Sequence, residues 1–137
     1  SLYRIAYLYT QQARYADAHP ILRLLVICDI HSPKYWHALA ACRQMLGDHL
    51  LAAESYAVLA GLELNDPQPA IQAAFCLMKG NDIQSAETWI VEAERRLTEG
   101  KGNPEQNALC RRLRVSLEQR LGKAADSEST NNVTAAP

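Results

Sequence analysis

The stretch that decides the fold is ALAACRQM, residues 38–45. It places a small residue and a cysteine, Ala40 and Cys42, two positions apart, and the same pairing returns 34 residues later and again 34 residues after that. The later copies are Ala74 with Cys76 and Ala108 with Cys110. One period earlier the alanine is present as Ala6, and Leu8 takes the cysteine position. Such a fixed period in a chain of 137 residues predicts a repeat architecture.

When the sequence is aligned with itself at a shift of 34 residues, other sets of equivalent positions, here called columns, also hold similar residues. One holds small residues and one holds larger apolar residues: Ala18, Ala52 and Ala86, and Leu22, Tyr56 and Ile90. The period and the pattern are those of the tetratricopeptide repeat, in which each unit is a pair of antiparallel helices. Small residues are needed where the two helices approach most closely, and larger side chains fill the space beside them. We therefore predict an all-α fold, an α-solenoid of three tetratricopeptide repeats.

Three pairs of helices follow from this pattern and from the Pro, Gly, Asn and Asp residues that interrupt it. The first helix of each pair is predicted over about residues 2–12, 34–46 and 68–79, and the second over about residues 15–29, 49–62 and 83–98. Pro33 and Pro67 stand where a helix begins and a missing N–H costs little. Gly47 and Gly80 stand where a helix ends.

The last part of the chain is predicted to form one further helix over about residues 104–121. Leucines recur at every fourth position from Leu109 to Leu121, while the arginines fall largely off this stripe and are interpreted as a solvated face. A helix of this kind caps the last open surface of a solenoid. The repeats and the capping helix make up the predicted domain, residues 1–122. Residues 123–137 show no periodicity and are predicted to be a disordered tail.

The balance of charge excludes one class of function. The chain holds 14 Lys and Arg residues against 15 Asp and Glu residues, a net charge of -1, whereas a dedicated nucleic-acid binder carries a basic excess or patch. No apolar run is long enough to span a membrane, and no signal-peptide pattern is present. We therefore expect no nucleic-acid partner, no direct membrane insertion and, since the cysteines show no pairing pattern, a cytoplasmic location.

The sequence also argues against catalysis. Its cysteines lie in apolar helical patterns and are interpreted as small buried thiols, which are inert; they are Cys28, Cys42, Cys76 and Cys110. None of the 4 histidines pairs with a cysteine or another histidine at a short metal-ligand spacing on one helix face, and no phosphate loop or hydrolase motif occurs. We predict no enzyme activity, no catalytic residue, no metal site and no cofactor.

A candidate binding face remains once the packing positions are set aside. In a stack of repeats the first helix of each pair lines the inside of the curve. The positions of these helices that do not pack against a neighbouring helix therefore form the wall of a groove. These predicted peptide-binding residues are aromatic, aliphatic and polar rather than mainly charged: Tyr3, Tyr7, Thr10, Lys34, His37, Ala41, Gln44, Met45, Ile71, Phe75 and Met78. Exposed apolar surface of this kind marks partner sites, and the predicted ligand is an extended segment with apolar side chains at intervals.

Packing inside the protein is the alternative explanation for single members of this set. Tyr3 and Tyr7 could contact a preceding helix, and Phe75 and Met78 could contact the capping helix. Their alignment one helical turn apart across three repeats favours the groove. Few cationic side chains accompany them, which does not support capture of a terminal carboxylate.

Four runs of the sequence resemble the class II chaperones of bacterial type III secretion. They are Leu2-Tyr3-Arg4-Ile5-Ala6-Tyr7, Tyr15-Ala16-Asp17-Ala18, Ala41-Cys42-Arg43-Gln44 and Ala73-Ala74-Phe75-Cys76. Members of that family typically show Leu-Tyr-x-Leu-Ala-Phe, Tyr-x-Asp-Ala, Gly-Ala-Cys-Arg-Gln and His-Ala-Ala-Glu-Cys at these spacings. The resemblance covers about residues 2–97, and Ala-Cys-Arg-Gln is its most specific part.

The resemblance implies a cytoplasmic chaperone that binds hydrophobic translocator subunits and keeps them soluble and unassociated before export. It implies a groove for a client segment with a Pro-x-Leu-x-x-Pro-like pattern, in which Tyr3 and Tyr7 match groove aromatics and His37 and Phe75 continue the groove. A homodimer and a transcriptional regulator are further partners that the resemblance allows. The family's N-terminal segment, often used for dimerisation, is not included in this sequence, so the oligomeric state is left open.

Two departures from the family pattern bear on the client. The family's His-Ala-Ala-Glu-Cys reads Gln72-Ala73-Ala74-Phe75-Cys76, so an aromatic ring replaces a charged groove position and is expected to shift client choice. The usual glycine before Ala-Cys-Arg-Gln is Ala40. The alternative function is a generic tetratricopeptide scaffold in another complex, which would use the outer face or the capping helix.

Overall fold

The helices of this protein follow one another in pairs, as the 34-residue period predicts. The structure, a computed structural model, describes residues 1–135, with side chains through residue 129. The described residues form seven helices: α1 (Leu2–Gln11), α2 (Tyr15–Cys28), α3 (Pro33–Met45), α4 (His49–Leu62), α5 (Gln68–Lys79), α6 (Ile83–Thr98) and α7 (Pro104–Ala135). The all-α solenoid is confirmed, and the predicted bounds of α1 to α6 agree with the structure to within one residue.

Close packing explains why the small residues recur. The alanines of the two small-residue columns are all completely buried: Ala6, Ala40 and Ala74 on the first helices, and Ala18, Ala52 and Ala86 on the second helices. One apolar cluster is built around α1, α2 and the start of the second repeat, and a larger one continues from Ala40 to Leu117 of α7. Each repeat therefore buries its apolar side against its neighbours, as a solenoid requires.

The turns between helices use two different devices. After α3, Gly47 takes a left-handed conformation with φ +82°, which costs a glycine little. After α5, the left-handed residue is Asn81, with φ 62°, and Gly80 stands at the C-cap. A Cβ atom on Gly80 would lie 2.5 Å from Cδ2 of Leu50, so the Leu50 side chain would have to move to admit a larger residue.

The end of the chain differs from its prediction. Whereas a tail was expected from residue 123, α7 stays helical through Ala135. Residues 121–129 are all exposed, so this part of α7 adds nothing to the buried core. Its alanines and glutamate favour a helix, and Gly122 alone costs only about 1 kcal/mol relative to alanine. Residues 136 and 137 lie outside the described residues.

Two arginines of α7 attach this helix to the third repeat, where a solvated face was expected. Arg114 forms an ion pair with Glu94 of α6, and the Nη1 atom of Arg120 donates to the carbonyl oxygen of Met78 at 2.7 Å. Arg111 remains exposed, as predicted. The capping helix is therefore held by polar contacts at its edges as well as by its leucine stripe.

A buried arginine joins the second and third repeats. Arg96 of α6 is only 3% exposed, and its guanidinium donates to three main-chain carbonyl oxygens at 2.9–3.0 Å, those of Ala60, Glu63 and Asp66. These carbonyls lie at the end of α4 and in the turn that follows, where a helix leaves acceptors unpaired. The Nε atom of Arg96 also donates to Glu92 at 2.8 Å. Arg96 thereby sets the position of the α4–α5 turn.

The alanine columns make a stability prediction with a control inside the same column. Replacing Ala74 with leucine should lower the free energy of unfolding by about 1–3 kcal/mol, because the site is fully buried and the larger side chain overpacks it. Ala108 occupies the same column in α7 but is partly exposed, so Ala108→Leu should change stability by less than about 0.5 kcal/mol. Urea unfolding followed by circular dichroism measures both. An equal loss of unfolding free energy in both variants would show that the alanine column does not reflect close packing.

Candidate functional site

The N-terminal end of the predicted groove is an aromatic group. The rings of Tyr3 and Tyr7 on α1 stack with their centroids 6.5 Å apart, and Tyr3 also lies 5.7 Å from the ring of Tyr35 on α3. The Nζ atom of Lys34 stands 3.9 Å from the centroid of Tyr3, a cation–π distance. Tyr7 is 50% exposed, so one ring of this group is free to contact another chain.

The far end of the groove carries the third-repeat aromatic. Phe75 is partly buried against the main apolar cluster, and the Nζ atom of Lys79 lies 5.6 Å from its ring centroid. Between the two ends, the second repeat presents His37 and Met45, both exposed, and Met45 is 61% exposed. The candidate groove residues thus include aromatic rings and a flexible thioether, which suits adaptable packing.

Three predicted groove residues are only half-buried and have limited freedom. The hydroxyl of Thr10 donates to the carbonyl oxygen of Tyr7 at 2.7 Å, and Ala41 is partly buried. Gln44 accepts a hydrogen bond from the hydroxyl of Tyr56 at 2.9 Å. Burial raises the pKa of Tyr56 to about 12, so this hydroxyl stays a donor. These residues form the floor of the groove more than its gripping surface.

Two predicted groove residues are wrong. Ile71 is completely buried and Met78 is 4% exposed, and both belong to the main apolar cluster. The same cluster contains Leu113 and Leu117 of α7. Because the capping helix packs on the third repeat, the positions that are open in the first two repeats are closed in the third. The groove is therefore shorter at its C-terminal end than predicted.

A small polar cavity opens beside the groove between the second and third repeats. It has a volume of about 150 Å³ and is lined by His37, Tyr56, Leu59, Glu63, Asp66, Gln68, Pro69 and Gln72. Of these residues the predicted set includes only His37. Asp66 is already engaged, because its side chain accepts from the main-chain N–H of Gln68 at 2.9 Å. The cavity gives the middle of the groove a polar character that the predicted residues did not indicate.

Tyr35 is a groove residue that sequence reasoning missed. It joins the Tyr3 group although the 34-residue period sets it in register with Ser1 and Pro69, which are not aromatic. Since neither neighbour in the column carries a ring, the repeat pattern held no signal for it. Only the approach of α1 to α3 brings the two tyrosines together.

The cysteines are mostly where they were predicted. Cys42, Cys76 and Cys110 are buried, whereas Cys28 at the end of α2 is exposed, contrary to the prediction. Burial raises the pKa of all three buried thiols, that of Cys76 to about 11, so they remain protonated at neutral pH. Among the described residues, no group of three or more His, Cys, Asp or Glu side chains could hold a metal ion. None of the helices described is both long and apolar enough to cross a bilayer.

Comparison with known proteins identifies relatives of this architecture. No protein-family model matches the chain. The chain is 30% identical over 132 residues to low calcium response locus protein H of Yersinia pseudotuberculosis, which covers 96% of this chain and 77% of that protein. The type III secretion chaperone SycD of Yersinia enterocolitica, solved with a peptide of the translocator YopD, matches with a TM-score of 0.69 at 30% identity, over 89% of this chain and 92% of that one. PcrH of Pseudomonas aeruginosa, solved with the chaperone binding region of PopD, matches with a TM-score of 0.67 at 28% identity, over 90% of each chain.

Proposed function

Because this chain belongs to the class II chaperones of type III secretion, a family without enzymatic activity, we propose that its groove holds an extended apolar segment of a translocator subunit. The chaperone binds that segment in the bacterial cytoplasm and keeps the translocator soluble and unassociated before export. The groove comprises Tyr3, Tyr7, Lys34, His37, Met45 and Phe75, with Thr10, Ala41 and Gln44 as its floor.

The single observation that carries this proposal is the exposed aromatic wall of α1. Tyr7 is 50% exposed while its neighbours in the alanine columns are completely buried. A ring left half in water loses the burial that would stabilise it, and a partner side chain recovers that energy on binding. SycD and PcrH, at 30% and 28% identity, are solved with translocator segments bound, which supports the same class of ligand here.

The estimated binding free energy predicts that a short peptide binds weakly to the groove. Three aromatic anchors at about 1.5–3 kcal/mol each give roughly 5–9 kcal/mol before costs. Ordering a flexible segment costs about 2–5 kcal/mol. A short peptide should therefore bind in the millimolar to micromolar range, and tight holding needs a longer client segment that covers more of the surface.

Site-specific photo-crosslinking tests the location of the client. A photoreactive phenylalanine analogue at Tyr7 or Phe75 should crosslink to a co-expressed translocator subunit. The matched control places the analogue at Val91, which is exposed on α6 to a similar extent, 53%. Crosslinks from Val91 with none from Tyr7 or Phe75 would place the client on the outer face and refute the groove.

A further inference from the structure

An open cleft lies on the other side of the solenoid, away from the groove. We call it the convex cleft. Its two walls are α2 and α4, its floor is α3, and its volume is about 580 Å³. That volume lies within the range of known ligand pockets. The lining residues are Arg23, Val26 and Ile27 of α2, Trp36, Leu39 and Arg43 of α3, and Glu54, Ser55, Ala57 and Val58 of α4.

The second repeat departs from the other two repeats at this cleft. Ser55 stands where the first repeat has Ile21 and the third repeat has Trp89, and both of those apolar side chains pack against a core cluster. The small polar residue leaves open the space that a large apolar side chain would fill. The cleft is therefore a feature of this repeat and does not follow from the tetratricopeptide architecture itself.

The residue that contacts Ser55 also differs from its counterparts in the other two repeats. Arg43 stands where the first repeat has Tyr9 and the third repeat has Leu77. Its Nη1 atom donates to the Ser55 hydroxyl at 2.8 Å, so a polar pair replaces an apolar pair between the two helices of the repeat. The same Nη1 atom donates to the main-chain carbonyl oxygen of Leu51 at 3.4 Å. These polar contacts hold the Arg43 guanidinium at the cleft.

The cationic groups of the cleft have no carboxylate partner in ion-pair contact. Among the described residues, Arg43 forms no ion pair within 4.0 Å, and Arg23 forms neither a hydrogen bond nor an ion pair. Burial lowers the pKa of Arg43. The pKa of His19 beside it is lowered by burial and then by Arg43 and Arg23. Glu54, on the α4 wall, lies beyond ion-pair distance, although its charge and that of Asp48 act to raise the pKa of Arg43 against the effect of burial. Within the lining itself, two arginines face one glutamate.

Apolar surface surrounds these charges and continues beyond the cleft. Ile27 is 70% exposed and Val58 is 39% exposed on opposite walls, and Leu24, one turn from Ile27 on α2, is 47% exposed. This surface is longer than a small ligand in the cleft would cover. Each wall spans about one helical turn, over residues 23–27 and 54–58. A helix places side chains of matching spacing, one turn apart, on one face.

We propose that the convex cleft binds a helical segment of a partner protein that carries aliphatic side chains and one aspartate or glutamate on the same face. The aliphatic side chains pack between Ile27 and Val58, and the carboxylate pairs with Arg23 and Arg43. This site is separate from the groove, so a partner can occupy it while the groove is empty or filled.

A pair of peptides tests this assignment. The probe is a blocked alanine–lysine helical peptide with two leucines and one glutamate on one face, each one turn apart, and its twin has glutamine in place of the glutamate. Fluorescence anisotropy should show the glutamate peptide binding about tenfold more tightly, because its carboxylate accepts charge-assisted hydrogen bonds from the two arginines. Arg23→Gln should reduce that difference at least threefold, since only Arg43 would remain, and it removes no hydrogen bond or ion pair within the described residues.

A second variant closes the cleft without touching its charges. Ala57→Trp should abolish binding of the glutamate peptide, whereas Val91→Trp, at the equivalent position of the next repeat, should leave it unchanged. The variant that lacks the Tyr7 and Phe75 rings should also bind the probe normally, which separates this site from the groove. Equal binding of the two peptides, no binding of either up to millimolar concentration, or binding that survives Ala57→Trp would overturn the proposal. If decanoate bound while neither peptide did, the cleft would be a site for a free aliphatic acid instead.

Discussion

Replacing Tyr7 and Phe75 together with alanine is expected to weaken binding of a translocator segment by more than about a hundredfold. Each ring contributes about 1.5–3 kcal/mol of apolar burial to the complex, and each 1.4 kcal/mol changes the dissociation constant about tenfold. Tyr7 is 50% exposed in the free protein, so its removal should cost the fold little. Isothermal titration with the purified segment measures the affinity, and circular dichroism checks that the helices are intact.

Two exposed apolar residues outside the groove provide the matched control. Leu64 is 66% exposed and Val91 is 53% exposed, so the double alanine variant at these positions removes similar apolar surface from elsewhere. That variant should bind the segment as the parent protein does. Because Phe75 also packs against the core, the single variant Tyr7→Ala separates binding from stability. Full affinity in the groove double variant would mean that the client binds elsewhere.

Replacing Arg96 with methionine is expected to lower the free energy of unfolding by about 3–5 kcal/mol. Methionine keeps much of the volume but removes the Arg96 donors from the carbonyl oxygens of Ala60, Glu63 and Asp66. Of these three, the Glu63 carbonyl keeps a hydrogen bond from the main-chain N–H of Asp66 at 3.2 Å. A buried acceptor without a partner carries the full cost of its desolvation. Chemical denaturation followed by far-ultraviolet circular dichroism measures the loss, which should appear as a lower midpoint with an unchanged slope.

Arg95 is the control for Arg96, because both arginines contact the same carboxylate. Arg95 bonds Glu92 and Glu99 with a side chain that is 53% exposed, and exposed pairs contribute at most about 1 kcal/mol. Hydrogen bonds from Arg95 and then Arg96 lower the pKa of Glu92 to about 2, so these ion pairs persist well below neutral pH. Arg95→Met should therefore lower the free energy of unfolding far less than Arg96→Met does. A similar loss for both variants would show that the carbonyl contacts of Arg96 contribute nothing.

The outline of the fold could be read from the sequence because its signals are local or periodic. Turn residues such as Gly47 act through their own backbone conformation. The alanine columns report contacts between neighbouring helices that recur identically in each repeat. The end of α7 could not be predicted in this way, because residues 121–129 are exposed and therefore carry no column of buried residues.

The repeat pattern predicted side-chain exposure correctly where the repeat is regular. It predicted exposure incorrectly in the third repeat, where the chain departs from regularity. Tyr3 and Tyr7 follow from the repeat register, and the structure leaves Tyr7 half-exposed. Ile71 and Met78 occupy the registers of Tyr3 and Thr10 in the third repeat, yet they are buried because α7 takes the place of a further repeat. The place of a residue within the repeat therefore sets the direction of its side chain, while the exposure of that side chain depends on which helix packs over it.

By itself, the sequence determined the helices, the 34-residue period and the family, because these depend on neighbouring residues and on recurring small side chains. The tertiary structure alone decided which groove residues stay open, what Arg96 binds and where the convex cleft lies. Arg96 meets carbonyl groups that lie 30 to 36 residues earlier in the chain. Contacts at such separations exist only after the repeats have stacked, since burial and charge pairing are properties of the assembled surface.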